Sequence, residues 1–246
     1  MPHVVVLTDA AADLAPEVIE RLRLGVITAD EGPFTASYLV DRYARVMSAF
    51  PECTLLALHA PEALGGASQA AFIAREVLGR DIVVVDTRLA SSALGLVVRE
   101  VAERAAACWT KAALMTALPA LLAGARLCVV RPEKPRAFRS KRAWAVKTLD
   151  ESGAVYTLAD GLAETDVVSC VRDCLVQGPG AGEAMHLAVA SPKTIGVSAD
   201  GWPKRLGERL EAALSPKTVE YAPLGAVTAQ IFGEAALACA VVPALA

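Results

Sequence analysis

Two segments of the chain combine a short apolar run, a loop of small residues and a helical pattern. The first is VVVLTDAAADLAPEVIERL near the N-terminus, and the second is ALGGASQAAFIAREVLGRDIVVVDTRLASSALGL. Apolar runs of this length are typical of buried strands, and the spacing that follows is typical of amphipathic helices. This alternation predicts a mainly parallel sheet with helices on both faces. Ligands of such sheets bind at the loops that follow the carboxyl ends of the strands.

Length and composition predict a compact globular protein. The chain has 246 residues, of which 54% are hydrophobic and 21% are charged, and this suits one large domain or two small ones. The formal net charge of −3 does not favour general binding to nucleic acid or to an anionic membrane. The apolar runs are too short for a signal peptide or a membrane helix. We therefore expect a cytoplasmic protein without membrane insertion.

The second half of the chain has a different pattern. WAVKTL and AVYTLA flank the residues ESG, which is typical of a hairpin with antiparallel strands. We therefore predict an α/β protein of two domains. Residues 1–135 would form the mainly parallel sheet with helices on both faces, and residues 136–246 would form an α/β domain with a mixed or antiparallel sheet. A ligand cleft is expected between the two domains.

Polar side chains follow the predicted strands at one edge of the first sheet. Asp9 and Asp86 each end a strand, and either could cap a loop, bind a metal or take part in catalysis. Thr8, Ser91 and Ser92 lie beside them in sequence, and we assign all five residues to the loops of the cleft. A small-molecule enzyme built on the two aspartates would need further metal ligands or a nucleophile motif, which the sequence does not supply. No enzyme activity, catalytic residue, metal site or cofactor is predicted.

Two further signals lie close to the same edge. Gly65 and Gly66 open a helix in LGGASQA, where backbone amides can approach an anion closely. A tight turn that needs glycine is the alternative explanation. His59 ends the strand CTLLAL and is either a hydrogen-bonded loop histidine or a ligand-binding group.

Cysteines and basic residues give weaker signals elsewhere. Cys170 and Cys174 stand one helical turn apart, and they form either a metal or redox pair or two buried free thiols. The basic stretch RPEKPRAFRSKR at residues 131–142 is either a solvated linker or a docking patch for an acidic partner.

Several motifs resemble the DegV family of bacterial fatty-acid-binding proteins. The TDS…DLP opening of that family is matched at Thr8, Asp9, Asp13, Leu14 and Pro16. Its LSGTYQSA-like turn resembles ALGGASQAA, and its next strand and helix resemble VVVDTRLASSALGLVV. Its later hairpin and closing segment resemble WAVKTLDESGAVYTL and GAVTAQIFGEAALACAV. The resemblance covers most of the chain and is strongest over residues 4–100.

The resemblance implies two α/β domains that hold a fatty acid between them, without catalysis, and present it to a separate acyl kinase. It places the carboxylate-binding threonine of the family at Thr35, its serine at Gly65 and its histidine at Gln230, and it finds no counterpart for the arginine that assists in some members. We therefore predict a fatty-acid-binding protein of the DegV type with a weakened carboxylate site and a candidate ligand such as palmitate. The alternative is a divergent relative without lipid that acts as an interaction or structural protein.

The head group is then expected to bind to Thr35 and to the backbone amides around Gly65 and Gly66, with Gln230 and His59 as further candidates. Each lost hydrogen bond to a charged group costs about 1.5–3 kcal/mol, whereas each buried methylene contributes about 0.8 kcal/mol. A long acyl tail could therefore bind without the full set of polar contacts. Restoring the serine with Gly65→Ser is expected to raise the affinity for a fatty acid.

Overall fold

The computed structural model describes residues 4–28, 34–133, 143–178, 183–192 and 201–245. The described strands are β1 (Val4–Asp9), β2 (Gly25–Ile27), β3 (Thr54–His59), β4 (Ile82–Asp86), β5 (Arg126–Pro132), β6 (Trp144–Leu149), β7 (Val155–Leu162), β8 (Met185–Ser191), β9 (Thr218–Pro223) and β10 (Leu237–Pro243). The described α-helices are α1 (Pro16–Leu22), α2 (Ala36–Ala49), α3 (Ser68–Leu78), α4 (Ser91–Ala106), α5 (Lys111–Gly124), α6 (Glu164–Leu175), α7 (Trp202–Leu214) and α8 (Ala226–Phe232). Short 3-10 helices at Ala10–Ala12 and Glu62–Leu64 follow β1 and β3.

The strands form two sheets. Sheet A has the order β2-β1-β3-β4, and its neighbouring strands are parallel. Sheet B has the order β7-β6-β5-β10-β8-β9, in which β8 and β9 are parallel and the other pairs are antiparallel. These sheets confirm the predicted α/β fold with a parallel first sheet and a mixed second sheet.

Strand β5 lies before the predicted domain boundary but belongs to sheet B. Its sequence RLCVV continues the strand–helix alternation of the first half, so the local pattern assigned it to the first sheet. Its partners are β6 and β10. Strand β10 lies more than one hundred residues later in the sequence, and the local sequence of β5 does not predict pairing with so distant a strand. The chain therefore changes sheet between β4 and β5, while the division into domains at 135/136 stays a prediction.

The helices and sheets alternate in five layers. Helices α2 and α3 cover one face of sheet A, and α6 and α7 cover one face of sheet B. Helices α1, α4 and α5 fill the space between the sheets, where a single apolar core joins side chains of β1 and β3 to those of β5, β8 and β10. The two sheets are therefore connected by one continuous core rather than by a linker alone.

Helix α4 lies at the centre of this core. Every residue from 91 to 102 is buried, and the helix contacts β1 on one side and β8 and β10 on the other. The segment ALGLVVREV is apolar around most of its circumference, as expected for a helix enclosed on all sides.

Two charged residues of α4 bind groups of sheet B. The Oε2 atom of Glu100 lies 3.2 Å from Nε2 of His186 on β8, and Oε1 accepts hydrogen bonds from Arg104 and from the amide of Leu245 at 3.1 Å each. Arg99 Nη1 lies 2.6 Å from Oε1 of Glu220 on β9. Burial raises the pKa of Glu100, but His186 and the other donors outweigh it and lower that pKa to about 2.

Glu100→Ala is expected to lower the free energy of unfolding by about 3–5 kcal/mol, because it leaves the buried His186 and the half-buried Arg104 without their carboxylate partner. Glu103→Ala is the matched control on the same helix, since Glu103 forms a largely exposed ion pair with Arg21, and its loss is expected to cost under about 1 kcal/mol. Urea unfolding of both variants at pH 7 measures the difference. Equal losses would contradict the structural role of Glu100.

Candidate functional site

A pocket of about 500 Å³ lies where the ends of the two sheets meet. It is bounded by the loop after β1, by α1 and β2, and by the ends of β8 and β9 with the start of α8. Its lining residues are Asp9, Ala10, Ala12, Asp13, Leu14, Ile19, Val26, Pro192, Pro223, Leu224, Gly225, Ala226, Ala229 and Glu234. Most of these are apolar, and the volume falls within the range of about 300–1,000 Å³ that is usual for small-molecule sites.

Asp9 organises the loops at the carboxyl edge of sheet A. Its Oδ1 atom caps the 3-10 helix by accepting the amide of Ala11 at 3.1 Å. Its Oδ2 atom accepts the amides of Ala60 at 3.1 Å and Ala67 at 3.2 Å. The Nδ1 atom of His59 lies 3.1 Å from the same oxygen. Asp9 is fully buried, and its predicted capping role extends from the loop after β1 to both ends of the loop between β3 and α3.

His59 belongs to this buried cluster. Its Nδ1 atom lies 3.1 Å from Oδ2 of Asp9, and its Nε2 atom lies 2.7 Å from the hydroxyl of Tyr43. Burial and the charge of Asp9 raise the pKa of Tyr43 and keep it protonated as a donor. His59 has no exposed surface, and both of its ring nitrogens contact protein side chains. The structure therefore does not bring its side chain to a position where it could contact a head group.

Asp13 connects the loop after β1 to α4 and α8. Its Oδ1 atom accepts the amide of Gly225 at 2.8 Å, and its Oδ2 atom accepts the hydroxyl of Ser91 at 2.6 Å. Burial raises the pKa of this carboxyl to about 6, although the hydrogen bonds from Ser91 and Gly225 and the nearby hydroxyl of Thr228 oppose that rise. The backbone is left-handed at Asp13, with φ 39°, a conformation that Asp and Asn tolerate better than most residues.

Asp13→Asn is expected to change how stability depends on pH. A pKa that folding raises from 3.8 to about 6 means that the folded state holds this proton more tightly. The stabilising contribution is full below about pH 4 and is lost as the pH rises through 6, a change of roughly 3 kcal/mol. Asparagine stays neutral, so the variant should gain about that amount relative to the wild type between pH 4 and pH 7. Chemical unfolding across this range measures the difference, and a constant difference would contradict the raised pKa.

The double-glycine turn does not offer free amides. The amide of Gly65 donates to the carbonyl of Glu62 at 2.9 Å, and that of Gly66 donates to Pro61 at 3.1 Å. The next amide, of Ala67, donates to Asp9. The amides around Gly65 and Gly66 are therefore already bonded within a tight turn that needs glycine, and their binding of a head group stays a prediction.

Gly65 also lies against α8. A Cβ atom at this position would stand 2.8 Å from Cγ1 of Val227 and 3.9 Å from Cδ1 of Ile231, and the backbone has φ +71°. The space that the serine of the resembling family would occupy is therefore filled by α8. This overturns the expectation that Gly65→Ser restores a binding group.

We expect Gly65→Ser to destabilise the protein by roughly 2–4 kcal/mol, the sum of a left-handed backbone and an overpacked contact. Gly79→Ser is the matched control, because Gly79 has φ +57° and a Cβ atom there would meet nothing within 4 Å, so it should lose only about 1 kcal/mol. Urea unfolding measures both. Equal losses, or tighter palmitate binding by Gly65→Ser, would contradict the close contact with Val227.

The other predicted site residues are dispersed. Thr35 is exposed and caps α2 through the amide of Tyr38, and Gln230 is exposed on α8. Asp86 is exposed at the end of β4, where it accepts the amide of Arg88. Strand β3 separates it from β1, so the structure does not join it to Asp9 as the enzyme hypothesis requires.

Three predicted loop residues lie around α4. Thr8 and Ser92 are buried, and their hydroxyls have no hydrogen-bond partner among the described residues. Ser91 donates to Asp13. Of the ten predicted residues, Asp9 lines the pocket, and His59 and Ser91 each bind a residue that does.

Asp13 and Gly225 are site residues that the sequence motifs did not identify. Asp13 belongs to the opening motif, which gives it no role of its own. Its signal was a second aspartate one turn beyond Asp9, and the signal for α8 was the glycine that opens GAVTAQIF. The role of Asp13 depends on its contact with Gly225, which lies over two hundred positions away, and no local sequence pattern indicates that contact.

The cysteines form no metal site among the residues that the structure describes. Cys174 is buried and shares a thiol hydrogen bond with Cys128 of β5, which lowers the pKa of Cys174 to about 7. Within the described ranges, no group of three or more His, Cys, Asp or Glu side chains is placed to hold a metal ion. Residues 134–142 of the basic stretch lie outside the described residues. None of the helices in the described part of the chain has the length and apolar character that crossing a bilayer requires.

Residues 28–130 match a family model described as "Uncharacterised protein, DegV family". A DegV family protein from Corynebacterium glutamicum, Cg2579, superimposes with a TM-score of 0.80 at 20% identity, covering 100% of this chain and 99% of that one. The chain has the DegV fold. The resemblance predicted from the motifs is therefore confirmed, and no curated protein matches the chain by sequence.

Two other DegV structures carry descriptions of a ligand. TM841 from Thermotoga maritima, described as revealing a fatty acid binding function, has a TM-score of 0.79 at 14% identity and covers 99% of this chain and 100% of its own. DegV from Bacillus subtilis, described as a fatty acid binding protein, has a TM-score of 0.77 at 15% identity with the same coverage. At these identities the similarity establishes the fold, and the ligand of each is a property of that protein.

Proposed function

We propose that this chain binds the long acyl chain of a fatty acid in the pocket between the two sheets and catalyses no reaction. The observation that carries the proposal is the apolar pocket of about 500 Å³, which combines residues of both halves of a DegV fold. The structures of this fold from Thermotoga maritima and Bacillus subtilis are described as binding fatty acids, and this supports the same ligand class here.

The apolar lining supplies the main driving force for such a ligand. A C16 tail buried at about 0.8 kcal/mol per methylene contributes a gross term of roughly 12 kcal/mol. Part of this offsets the lost translational and conformational freedom of the ligand, which costs on the order of 4–15 kcal/mol. Binding therefore depends more on enclosing the tail than on any one polar contact.

The carboxylate site is weakened relative to the family pattern. Glycine replaces the serine at Gly65, glutamine replaces the histidine at Gln230, and the amides of the double-glycine turn are already bonded. Thr35 keeps the threonine of the pattern, but its Oγ1 accepts the amide of Tyr38 at 3.2 Å. Each missing contact lowers affinity by about 1.5–3 kcal/mol, which leaves an acyl tail able to bind.

The remaining functional assignments follow from the resemblance. A cytoplasmic protein that needs no cofactor and presents its lipid to an acyl kinase fits this chain. A second candidate function, an interaction protein without lipid, is favoured by exposed apolar side chains on one side of α3. Phe72, Ile73 and Val77 are 37%, 52% and 66% exposed, and such a cluster is typical of a surface that contacts another protein.

Native mass spectrometry of protein purified from a bacterial host tests the acyl-binding proposal. We expect a bound species with the mass of a fatty acid, and uptake of added palmitate after that species is removed. Ala229→Phe should fill the pocket and reduce palmitate occupancy at least tenfold, because Ala229 lines it.

Ala212→Phe is the matched control, since Ala212 is exposed on α7 on the far side of sheet B, and it should bind palmitate as the wild type does. A ligand-free protein that also ignores added palmitate would contradict the proposal and support the interaction function. Equal occupancy in the wild type and Ala229→Phe would place the ligand elsewhere.

A further inference from the structure

We propose that the pocket prefers one type of long-chain lipid over another. The preferred lipid has an uncharged head group that donates a hydrogen bond, such as a hydroxyl, and the disfavoured one has an ionised carboxylate. Asp13 is the residue that sets this preference. The inference rests on the proposed function, because it concerns the head group of a ligand whose tail occupies the same pocket.

The polar side chains that line the pocket are all acidic among the described residues. They are Asp9, Asp13 and Glu234, and the other described lining residues are Ala, Leu, Ile, Val, Pro and Gly. The lining thus offers side-chain acceptors, and its described part holds no lysine, arginine or histidine. The amide of Gly225, a donor in the lining, is already bonded to Asp13.

The two buried carboxylates differ in what they can still accept. Asp9 receives three backbone amides and His59, and it has no exposed surface. Asp13 receives one donor on each oxygen, from Gly225 and Ser91, and is 7% exposed. Because a carboxylate oxygen can accept two hydrogen bonds, Asp13 keeps acceptor capacity that a ligand in the pocket can use.

The Asp13 carboxylate and an ionised carboxylate head group repel each other when they lie side by side. A hydroxyl head group donates to the Asp13 carboxylate as it stands. A carboxylate head group in the same place requires either Asp13 or the ligand to be protonated, because adjacent carboxylates disfavour each other's ionised form. The positions where the resembling family places its carboxylate ligands give no compensation, since Gly65 packs against Val227 and Gln230 is exposed.

The raised pKa of Asp13, about 6, gives the size of the effect. At pH 7, about one unit above this pKa, roughly one tenth of the Asp13 side chains are protonated. Because a carboxylate ligand needs the protonated form, its apparent affinity is reduced by roughly tenfold. A hydroxyl ligand does not incur this reduction. The charged and polar groups facing Asp13 are Ser91 of α4, Thr228 and the Gly225 amide of α8, and the carboxylates Asp9 and Glu234 of the same lining.

Competition between palmitate and hexadecanol tests the inference directly. Both are added at equal concentration to the lipid-stripped full chain at pH 7, and native mass spectrometry measures the ratio of the two complexes. In the wild type we expect hexadecanol to exceed palmitate by roughly tenfold. In Asp13→Asn the ratio should fall about tenfold towards parity through tighter palmitate binding. Asparagine suits the left-handed backbone and retains an acceptor for Gly225, so the fold is kept.

Asp160→Asn is the control, because it removes the same charge at an exposed position of β7 outside this pocket, and its ratio should equal that of the wild type. Preference of the wild type for palmitate would overturn the inference and leave the proposed function standing. An Asp13→Asn ratio equal to that of the wild type would overturn the role of Asp13. Binding of neither ligand would overturn the proposed function as well. The wild-type ratio decides the preference even if Asp13→Asn fails to fold.

Discussion

The enclosure of α4 between two sheets is the constraint on which the rest of the structure depends. A charged group on a helix that is buried on all sides needs a partner within the protein. Glu100 has two such partners, Arg104 of the same helix and His186 of β8, and the contact with His186 holds the helix against sheet B. The same helix begins at Ser91, whose hydroxyl binds Asp13. The position of the pocket relative to both sheets is thus determined by a helix that contributes no residue to the described lining.

Asp9 and Asp13 show how one residue type serves two purposes within one loop. The first is bonded to four donors and holds the loop after β1 to the loop between β3 and α3, so it acts as part of the framework. The second has two donors, lies in the αL conformation and connects three elements beside the pocket. Burial without full hydrogen bonding is what raises the pKa of Asp13. The two aspartates therefore serve different purposes because Asp9 accepts hydrogen bonds from more donors than Asp13 does.

The sequence predicted the elements better than it predicted their contacts. Apolar runs such as DIVVVD and the hairpin around ESG identified β4, β6 and β7, because strand periodicity and turn residues are local properties. It did not reveal that β5 crosses into sheet B, that His59 is enclosed between Asp9 and Tyr43, or that Val227 fills the space beside Gly65. These features depend on residues that are distant in sequence, and family motifs transferred position by position do not include them.

The strand order of sheet B has a consequence for how the protein is made. Strand β10 lies between β5 and β8, although it follows all other described strands of that sheet in the sequence. On the ribosome, the two flanking portions of the sheet have no hydrogen-bonding partner for their inner edges until β10 emerges. Such unpaired edges are prone to association with other chains. The two portions of sheet B can therefore join only after β10 has been synthesised.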